Sequence, residues 1–561
     1  MKRLQKFILI IVLIFSAIEM RAQSFTNPVL SGFYPDPSIC KAGNDYYIVN
    51  SSFAYYPGLP IFHSKDLLNW QQIGSALDRP EQLNLDGAGV SRGLFAPSIS
   101  YHKGLFYIVC TLIDKLGNFV VTAADPKGPW SNPVALPQID GIDPSLFFDD
   151  NDSAYLVYNS IPPDNITLHN GHRTIRINTF DWKNLKIISD NKIIVNGGTD
   201  MAKKPVWIEA PHIFKKDNWY YLICAEGGTG YNHSEVVFRT KKLSEPFIPF
   251  DKNPILTQRH LDTARKNPIT TTGHAEFVEA ADGKYWAVFL GCRPYEGDFY
   301  NTGRETFMAP VEWKDGWPII NPNFETVQYT YPIKGIQKKL SDKFSGNYFF
   351  KDDFNTVTLN NRYSFLRTVR SNWYDLKTKP GYLSVALQPQ TCSGKENPAM
   401  VCFRQPHLKG YAATSLKFTA TAENEKAGLM IFQSENNFYF LCKSVENGKP
   451  VIQLLKGAGA NTNTTQPEVI ASQIITAKNN SDIFFKIKAN GGGYSFYYAT
   501  QKNKWQLLKN NVDGKFLSTK VAGGFVGSIY AMYSTSNGLA TTNKALYNWF
   551  ECKSEDDVFK K

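Results

Sequence analysis

Several things this chain lacks narrow what it can be. Its eight cysteines (Cys40, Cys110, Cys224, Cys292, Cys392, Cys402, Cys442 and Cys552) contain no CxxC pair, which sets zinc aside. Several sit inside apolar strand patterns such as Leu222-Ile223-Cys224, where a buried free thiol is the usual state. Disulfides are permitted outside the cytoplasm, but no pairing can be read from the spacing. Lys and Arg outnumber the acids, for a net charge of +11, yet they do not gather on one expected face. That pattern excludes nucleic acid as a favoured partner and suits a solvated basic surface. Beyond the N-terminal stretch no apolar run is long enough to cross a bilayer, and no helix-period stretch is long enough to organise a domain.

The N-terminal stretch reads as a secretory signal over residues 1–23. Lys2, Arg3 and Lys6 supply the charged region, Phe7 to Ile18 the apolar one, and Ala22-Gln23-Ser24 the small residues for cleavage. The first cysteine is Cys40, so a lipid anchor is not expected. The expectation is an exported protein, periplasmic or secreted, without a membrane anchor.

Aromatics, by contrast, are abundant at 14%. They suit strands, and they suit stacking on the apolar faces of sugar rings. They also recur in a pattern. Tyr34-Pro35-Asp36-Pro37-Ser38-Ile39 precedes Asp45-Tyr46-Tyr47-Ile48-Val49. Phe95-Ala96-Pro97-Ser98-Ile99 precedes Leu105-Phe106-Tyr107-Ile108. Ile142-Asp143-Pro144-Ser145-Leu146-Phe147 precedes Ala154-Tyr155-Leu156-Val157. Ile208-Glu209-Ala210-Pro211-His212-Ile213-Phe214 precedes Trp219-Tyr220-Tyr221-Leu222, and Gly273-His274-Ala275-Glu276-Phe277 precedes Tyr285-Trp286-Ala287. Each copy is a short strand, a polar turn and an aromatic strand, which is a hairpin signature. The copies start roughly 45 to 65 residues apart, a period suited to four-stranded blades. Ser64 to Trp70 and Ala124 to Trp130 add a polar turn that ends in an indole.

These features predict an all-β protein: a five-bladed β-propeller over residues 24–325, a linker over 326–344, and a β-sandwich over 345–561. The second region alternates in runs such as Gly428 to Gln433 and Ile483 to Ala489, broken by turns such as Asn490-Gly491-Gly492-Gly493. In a propeller the innermost strands line a central channel. Asp36, Asp143, Glu209 and His274 head their strands and would converge at one mouth.

Three acids at one mouth suit glycosidic hydrolysis. One carboxylic acid protonates the leaving oxygen, and a second carboxylate activates water or attacks the sugar. Inverting enzymes hold the pair roughly 6.5–9.5 Å apart. A third carboxylate raises the acid's pKa by like-charge repulsion. Taken singly, Asp36 and Asp143 each precede proline and read as turn residues. Glu209 alone reads as a strand cap, and His274 as a satisfied core histidine.

The chain resembles glycoside hydrolase family 43. Asn27-Pro28-Val29-Leu30 with Gly32-Phe33-Tyr34-Pro35-Asp36-Pro37 is similar to the family's general-base stretch, which implies Asp36 as proton acceptor. Gly141-Ile142-Asp143-Pro144-Ser145 resembles the third-acid stretch, implying Asp143 as pKa modulator and orienter. Glu209-Ala210-Pro211-His212, with Ala225-Glu226-Gly227-Gly228-Thr229 and Tyr231-Asn232-His233, resembles the general-acid region, implying Glu209 as proton donor. The resemblance further implies inversion of configuration, an axial histidine at His274 near a calcium or other ion in some members, and a sugar-gripping arginine at Arg293. No cofactor is required; the resemblance allows a structural calcium in the channel, with His274 as its candidate ligand. Gly303-Arg304-Glu305-Thr306 also fits, as do Asp352-Asp353-Phe354 and Gly524-Phe525-Val526-Gly527 of the sandwich. Phe53, Tyr55, Phe95 and Phe525 are the candidate sugar platforms.

Xylosidases of this branch tend to carry Trp-Ala-Pro where this chain has Phe95-Ala96-Pro97. The expected activity is therefore exo-acting release of terminal α-L-arabinofuranosyl residues from arabinose- and xylose-containing oligo- or polysaccharides. β-D-Xylosidase, or both activities, is the alternative. A retaining fructan-acting propeller, a non-catalytic carbohydrate-binding propeller and an endo-arabinanase are further rivals. The first needs Asn-Asp-Pro and Arg-Asp-Pro segments that are absent here, and the second would be expected to lack one of the acids.

Overall fold

A computed structural model describes residues 24–333, 343–459, 466–476 and 481–560. The signal-like stretch 1–23 and part of the expected linker, 334–342, lie outside the described residues. Five antiparallel sheets follow one another along the chain. Their innermost strands are Ser38–Ala42, Ser98–His102, Ile142–Phe148, Glu209–Lys216 and Thr270–Glu279. Each innermost strand contacts the next, and the fifth returns to the first, so the sheets close into a five-bladed propeller.

The hairpins form where the repeat places polar turns. Lys103-Gly104 and Asp217-Asn218 both take positive φ at two successive residues, as a two-residue type I′ turn requires. The two echoing indoles close their own turns: Trp70 Nε1 donates to the Leu67 carbonyl at 3.1 Å, and Trp130 Nε1 to Pro126 at 3.2 Å. The ring is latched by Ser24–Thr26, which pairs with Thr330–Pro332. Beside it the Asn27 amide donates to the carbonyls of Met308 and Gln328.

The C-terminal region is a sandwich of two eight-stranded sheets. Among the described residues the only α-helix is the single turn Thr519–Ala522. The sandwich is fused to the propeller rather than appended to it. Tyr55–Tyr56, in the loop after the second strand of the first blade, pairs with Phe365–Leu366 and becomes the edge strand of one sandwich sheet. Tyr55 is 0% exposed and packed among Phe33, Leu366 and Cys402. The expectation that it stacks on sugar is therefore corrected: pairing with a distant strand buries its ring in the core between the domains.

Arg293 is corrected in the same way. It does not line the channel. Its guanidinium lies in the domain interface, 1% exposed, and forms a bidentate pair with Glu305 (2.6 and 2.8 Å). It also donates to Asp556 of the sandwich at 2.7 Å and to the Pro406 carbonyl at 3.0 Å. Asp556 in turn accepts from the backbone N–H groups of Leu408 and Lys409. Charges buried this deeply are tolerated only as a fully paired set.

Removing one partner of such a set typically costs about 3–5 kcal/mol. Arg293→Met is therefore expected to lower the free energy of unfolding by that order, and with it the urea midpoint followed by tryptophan fluorescence. An unchanged midpoint would show that the interface does not depend on this pair.

Candidate active site

Three acids stand at irregular points of their strands. Asp36 and Asp143 have φ of 51° and 54°, Ala210 after Glu209 has 51°, and His274 has 58°. The ladders of the third, fourth and fifth blades skip register at Ile142/Ser145, Glu209/His212 and Gly273/Glu276. A bulge of this kind re-aims a side chain that the regular pleat would send to one face. Neighbouring side chains hold the backbone beside the acids. The Asn50 amide donates to the Tyr34 and Pro35 carbonyls and to Thr306 Oγ1. The Ser145 hydroxyl donates to the Pro211 carbonyl at 2.5 Å. Gly141 must lack a side chain, since a Cβ there would fall 1.8 Å from the Asn159 oxygen.

The bulged residues face one cavity of about 390 Å³. Asp36, Asp143, Glu209, His274, Phe53, Phe95 and Phe525 all line it, as do Arg304, Trp207 and Thr229. The structure thus gathers the three acids, the histidine and three of the four aromatic platforms named from the sequence; Tyr55 and Arg293 lie elsewhere. Phe525 reaches in from the sandwich, its backbone N–H bonded to Ser91 Oγ. Its ring lies 6.0 Å from both Phe53 and Phe95, near-parallel to the first and edge-on to the second.

The charges are unequal. Arg304 donates to Asp36 at 2.7 Å and to Thr229 Oγ1 at 3.0 Å, and Ser51 donates to Asp36 at 2.5 Å. Burial pushes the Asp36 carboxyl up, but Arg304, with help from Ser51, more than offsets it and holds the group below the ordinary aspartate range. Asp143 moves the other way, raised by burial and by the Asp36 charge. It accepts one hydrogen bond, from the Ala210 N–H at 3.3 Å. Glu209, 13% exposed, is raised by burial and then by Asp143 and Asp36. The result is one fixed carboxylate facing one carboxyl kept protonated at neutral pH. That is the division of roles general base and general acid require.

Two histidines lie beside the acids. His233 is fully buried and bonds through Nδ1 to the Thr271 carbonyl at 3.1 Å. Its Nε2 lies 3.9 Å from Glu209 and has no hydrogen-bond partner. Burial lowers its pKa to about 4, so it is neutral, with the proton on Nδ1. His274 Nδ1 lies 3.8 Å from Asp36, and burial lowers its pKa to about 3. A calcium does not fit at His274. Asp36 is already engaged by Arg304, whose positive charge opposes a cation. Glu276 is occupied by Ser38, Ile39 and His212. Among the described residues no three His, Cys, Asp or Glu side chains converge as a metal site.

Arg304, His233 and Trp207 complete what the sequence had shown only in outline. Arg304 had a signal in its Gly303-Arg304-Glu305-Thr306 segment, and His233 in Tyr231-Asn232-His233. Trp207 had none beyond its place two residues before Glu209.

Comparison with known proteins agrees with this geometry. Residues 25–318 match the family described as Glycosyl hydrolases family 43, and residues 351–553 match its Beta xylosidase C-terminal Concanavalin A-like domain. A xylosidase/arabinosidase of Butyrivibrio fibrisolvens is 37% identical over 93% of this chain and 98% of its own. A non-reducing end alpha-L-arabinofuranosidase of Bacteroides ovatus is 32% identical over 99% and 100%. A crystal structure of a family 43 protein retrieved from capybara gut metagenome superposes with a TM-score of 0.85 at 39% identity, over 93% of this chain and 97% of that one.

The charge arrangement predicts a bell-shaped pH–rate profile. The acid limb falls as pH drops through the lowered Asp36 pKa, and the alkaline limb falls as pH rises through the raised Glu209 pKa. Asp143→Asn removes a neighbouring negative charge, so the alkaline limb should move to lower pH while the acid limb stays. A shift of the alkaline limb to higher pH would contradict this assignment.

Proposed function

As the chain belongs to glycosyl hydrolases family 43, we propose that it is an exo-acting, inverting glycosidase that releases terminal α-L-arabinofuranosyl residues from hemicellulose side chains or oligosaccharides. The observation that carries the reading is the opposite electrostatic bias on two acids of one cavity: Asp36 held charged by Arg304, and Glu209 held neutral by burial and its acidic neighbours.

In this reading the terminal sugar sits between them. Asp36 accepts a proton from a water that attacks the anomeric carbon. Glu209 gives its proton to the glycosidic oxygen as the bond to the leaving group breaks, and the released sugar has the opposite anomeric configuration. Asp143 keeps Glu209 protonated and, through the Ala210 N–H, steadies the bulge that aims it. Neutral His274 and the Arg304 guanidinium are positioned to bond sugar hydroxyls, and Phe53, Phe95 and Phe525 form the apolar wall. The part of that wall supplied by the sandwich supports exo action, because it closes one side of the cavity. Support for the arabinofuranoside comes from the Bacteroides relative and from Phe95.

The Butyrivibrio relative's name carries both sugars, and it supports the second reading, β-D-xylosidase or dual activity. The signal-like N-terminus supports export, to the periplasm or beyond.

Activity on 4-nitrophenyl α-L-arabinofuranoside should exceed that on 4-nitrophenyl β-D-xylopyranoside, and proton NMR should show the inverted anomer first. Glu209→Ala should lower kcat on unactivated oligosaccharides by about 10²–10⁴-fold. Undiminished hydrolysis would sink the enzyme reading, and a large xyloside preference would replace the first sugar with the second.

A further inference from the structure

Trp207 is the one cavity-lining aromatic whose placement the chemistry above does not use. It lies two residues before Glu209 and is half-buried. Its φ is 53°, in a region that bulky side chains seldom enter. Two backbone bonds hold it there: Trp207 N–H donates to the Gly171 carbonyl at 2.8 Å, and Gly227 N–H to the Val206 carbonyl at 2.7 Å. The Arg173 guanidinium lies 3.9 Å from the centre of the indole ring and covers it. A core tryptophan needs neither a strained backbone nor a charged brace. This one is turned out of the core and towards the cavity.

Exposed aliphatic side chains lie among the polar ones of the adjoining segments. Val206 is 40% exposed. The loop of residues 161–172 presents Ile166 and Leu168 at 64% and 65% exposure. That loop is fastened beside Trp207, since His169 Nε2 donates to the Pro205 carbonyl at 2.6 Å. A strained indole that lines the cavity, with one face braced by a guanidinium, matches the apolar face of a sugar ring.

Its position in the chain gives that ring a place in the reaction. The terminal sugar takes the Asp36, Arg304 and phenylalanine side of the cavity. Glu209 must reach the glycosidic oxygen, and the leaving group extends past that oxygen. Trp207 leads into Glu209 from the rim. We propose that Trp207, braced by Arg173, is the platform on which the first sugar of the leaving group stacks, so that it sets specificity for a saccharide over a simple leaving group. This rests on the glycosidase reading above.

The test compares leaving groups at constant terminal sugar. The substrates are a methyl glycoside, which leaves methanol, and an oligosaccharide carrying the same terminal sugar. The proteins are wild type, Trp207→Leu, Trp207→Ala and Trp207→Phe, each checked for folding by circular dichroism. Trp207→Leu and Trp207→Ala should lose about tenfold or more in kcat/KM on the oligosaccharide, chiefly through KM, while the methyl glycoside changes by less than about threefold. Trp207→Phe, which keeps a ring, should recover most of the loss. Equal losses on both substrates in folded variants would overturn the proposal in favour of a role in positioning Glu209, and so would no loss on either. Wild-type protein that cleaves neither substrate would instead overturn the glycosidase reading, and the platform with it.

Discussion

The ion pair between Arg304 and Asp36 is the interaction on which the site depends. Three carboxyl groups share one buried cavity, and burial alone would drive all of them towards the neutral acid. Arg304 selects which one stays charged. It donates to Asp36 at 2.7 Å, and the Ser51 hydroxyl adds a second bond from the neighbouring chain segment. Once Asp36 is fixed as an anion, its charge acts outward on Asp143 and Glu209 and keeps them protonated more readily. One guanidinium therefore separates two chemically similar side chains into a base and an acid.

That arrangement is expensive to hold, and the fold meets the cost with rigid surroundings. Asp36 and Asp143 are themselves at positive φ, and Glu209 directly precedes Ala210, which is too. Side chains from adjacent segments, Asn50 and Ser145, tie down the chain beside Asp36 and Glu209. The sandwich takes part directly. It supplies Phe525 to the cavity, accepts Tyr55–Tyr56 into its own sheet, and locks against the fifth blade through Arg293, Glu305 and Asp556. Glu305 links these regions: besides pairing with Arg293 it accepts from the Gly32 N–H, a short way along the chain from Asp36. The domain interface and the cavity thus share a frame.

Much of this was legible in the sequence because it is local or repeated. The hairpins, the polar turns and the indole-closed turns follow from short-range chemistry, and the repeat makes the strand heads equivalent. Asp36, Asp143, Glu209 and His274 could be placed together on that basis. Arg293 could not be placed correctly. It and Arg304 lie at the same end of two paired strands, as the partnership of Gly291 with Glu305 shows. Which arginine turns to the channel depends on Asp556, a partner far along the chain. Tyr55 was lost for the same reason, since its strand partner Leu366 belongs to the other domain. Trp207 carries no local signal, because its exposure comes from a backbone strain that only the folded loop imposes.

The central claim is that Glu209 is neutral while Asp36 is charged in the resting protein. The most direct measurement is a carbon-13 NMR titration of protein labelled at the glutamate side-chain carboxyl, with the Glu209 resonance assigned by its disappearance in Glu209→Gln. The account predicts that this carboxyl stays protonated through neutral pH and titrates well above the ordinary glutamate range. A resonance that titrates within or below that range would show that the cavity does not hold Glu209 as an acid, and would contradict the account.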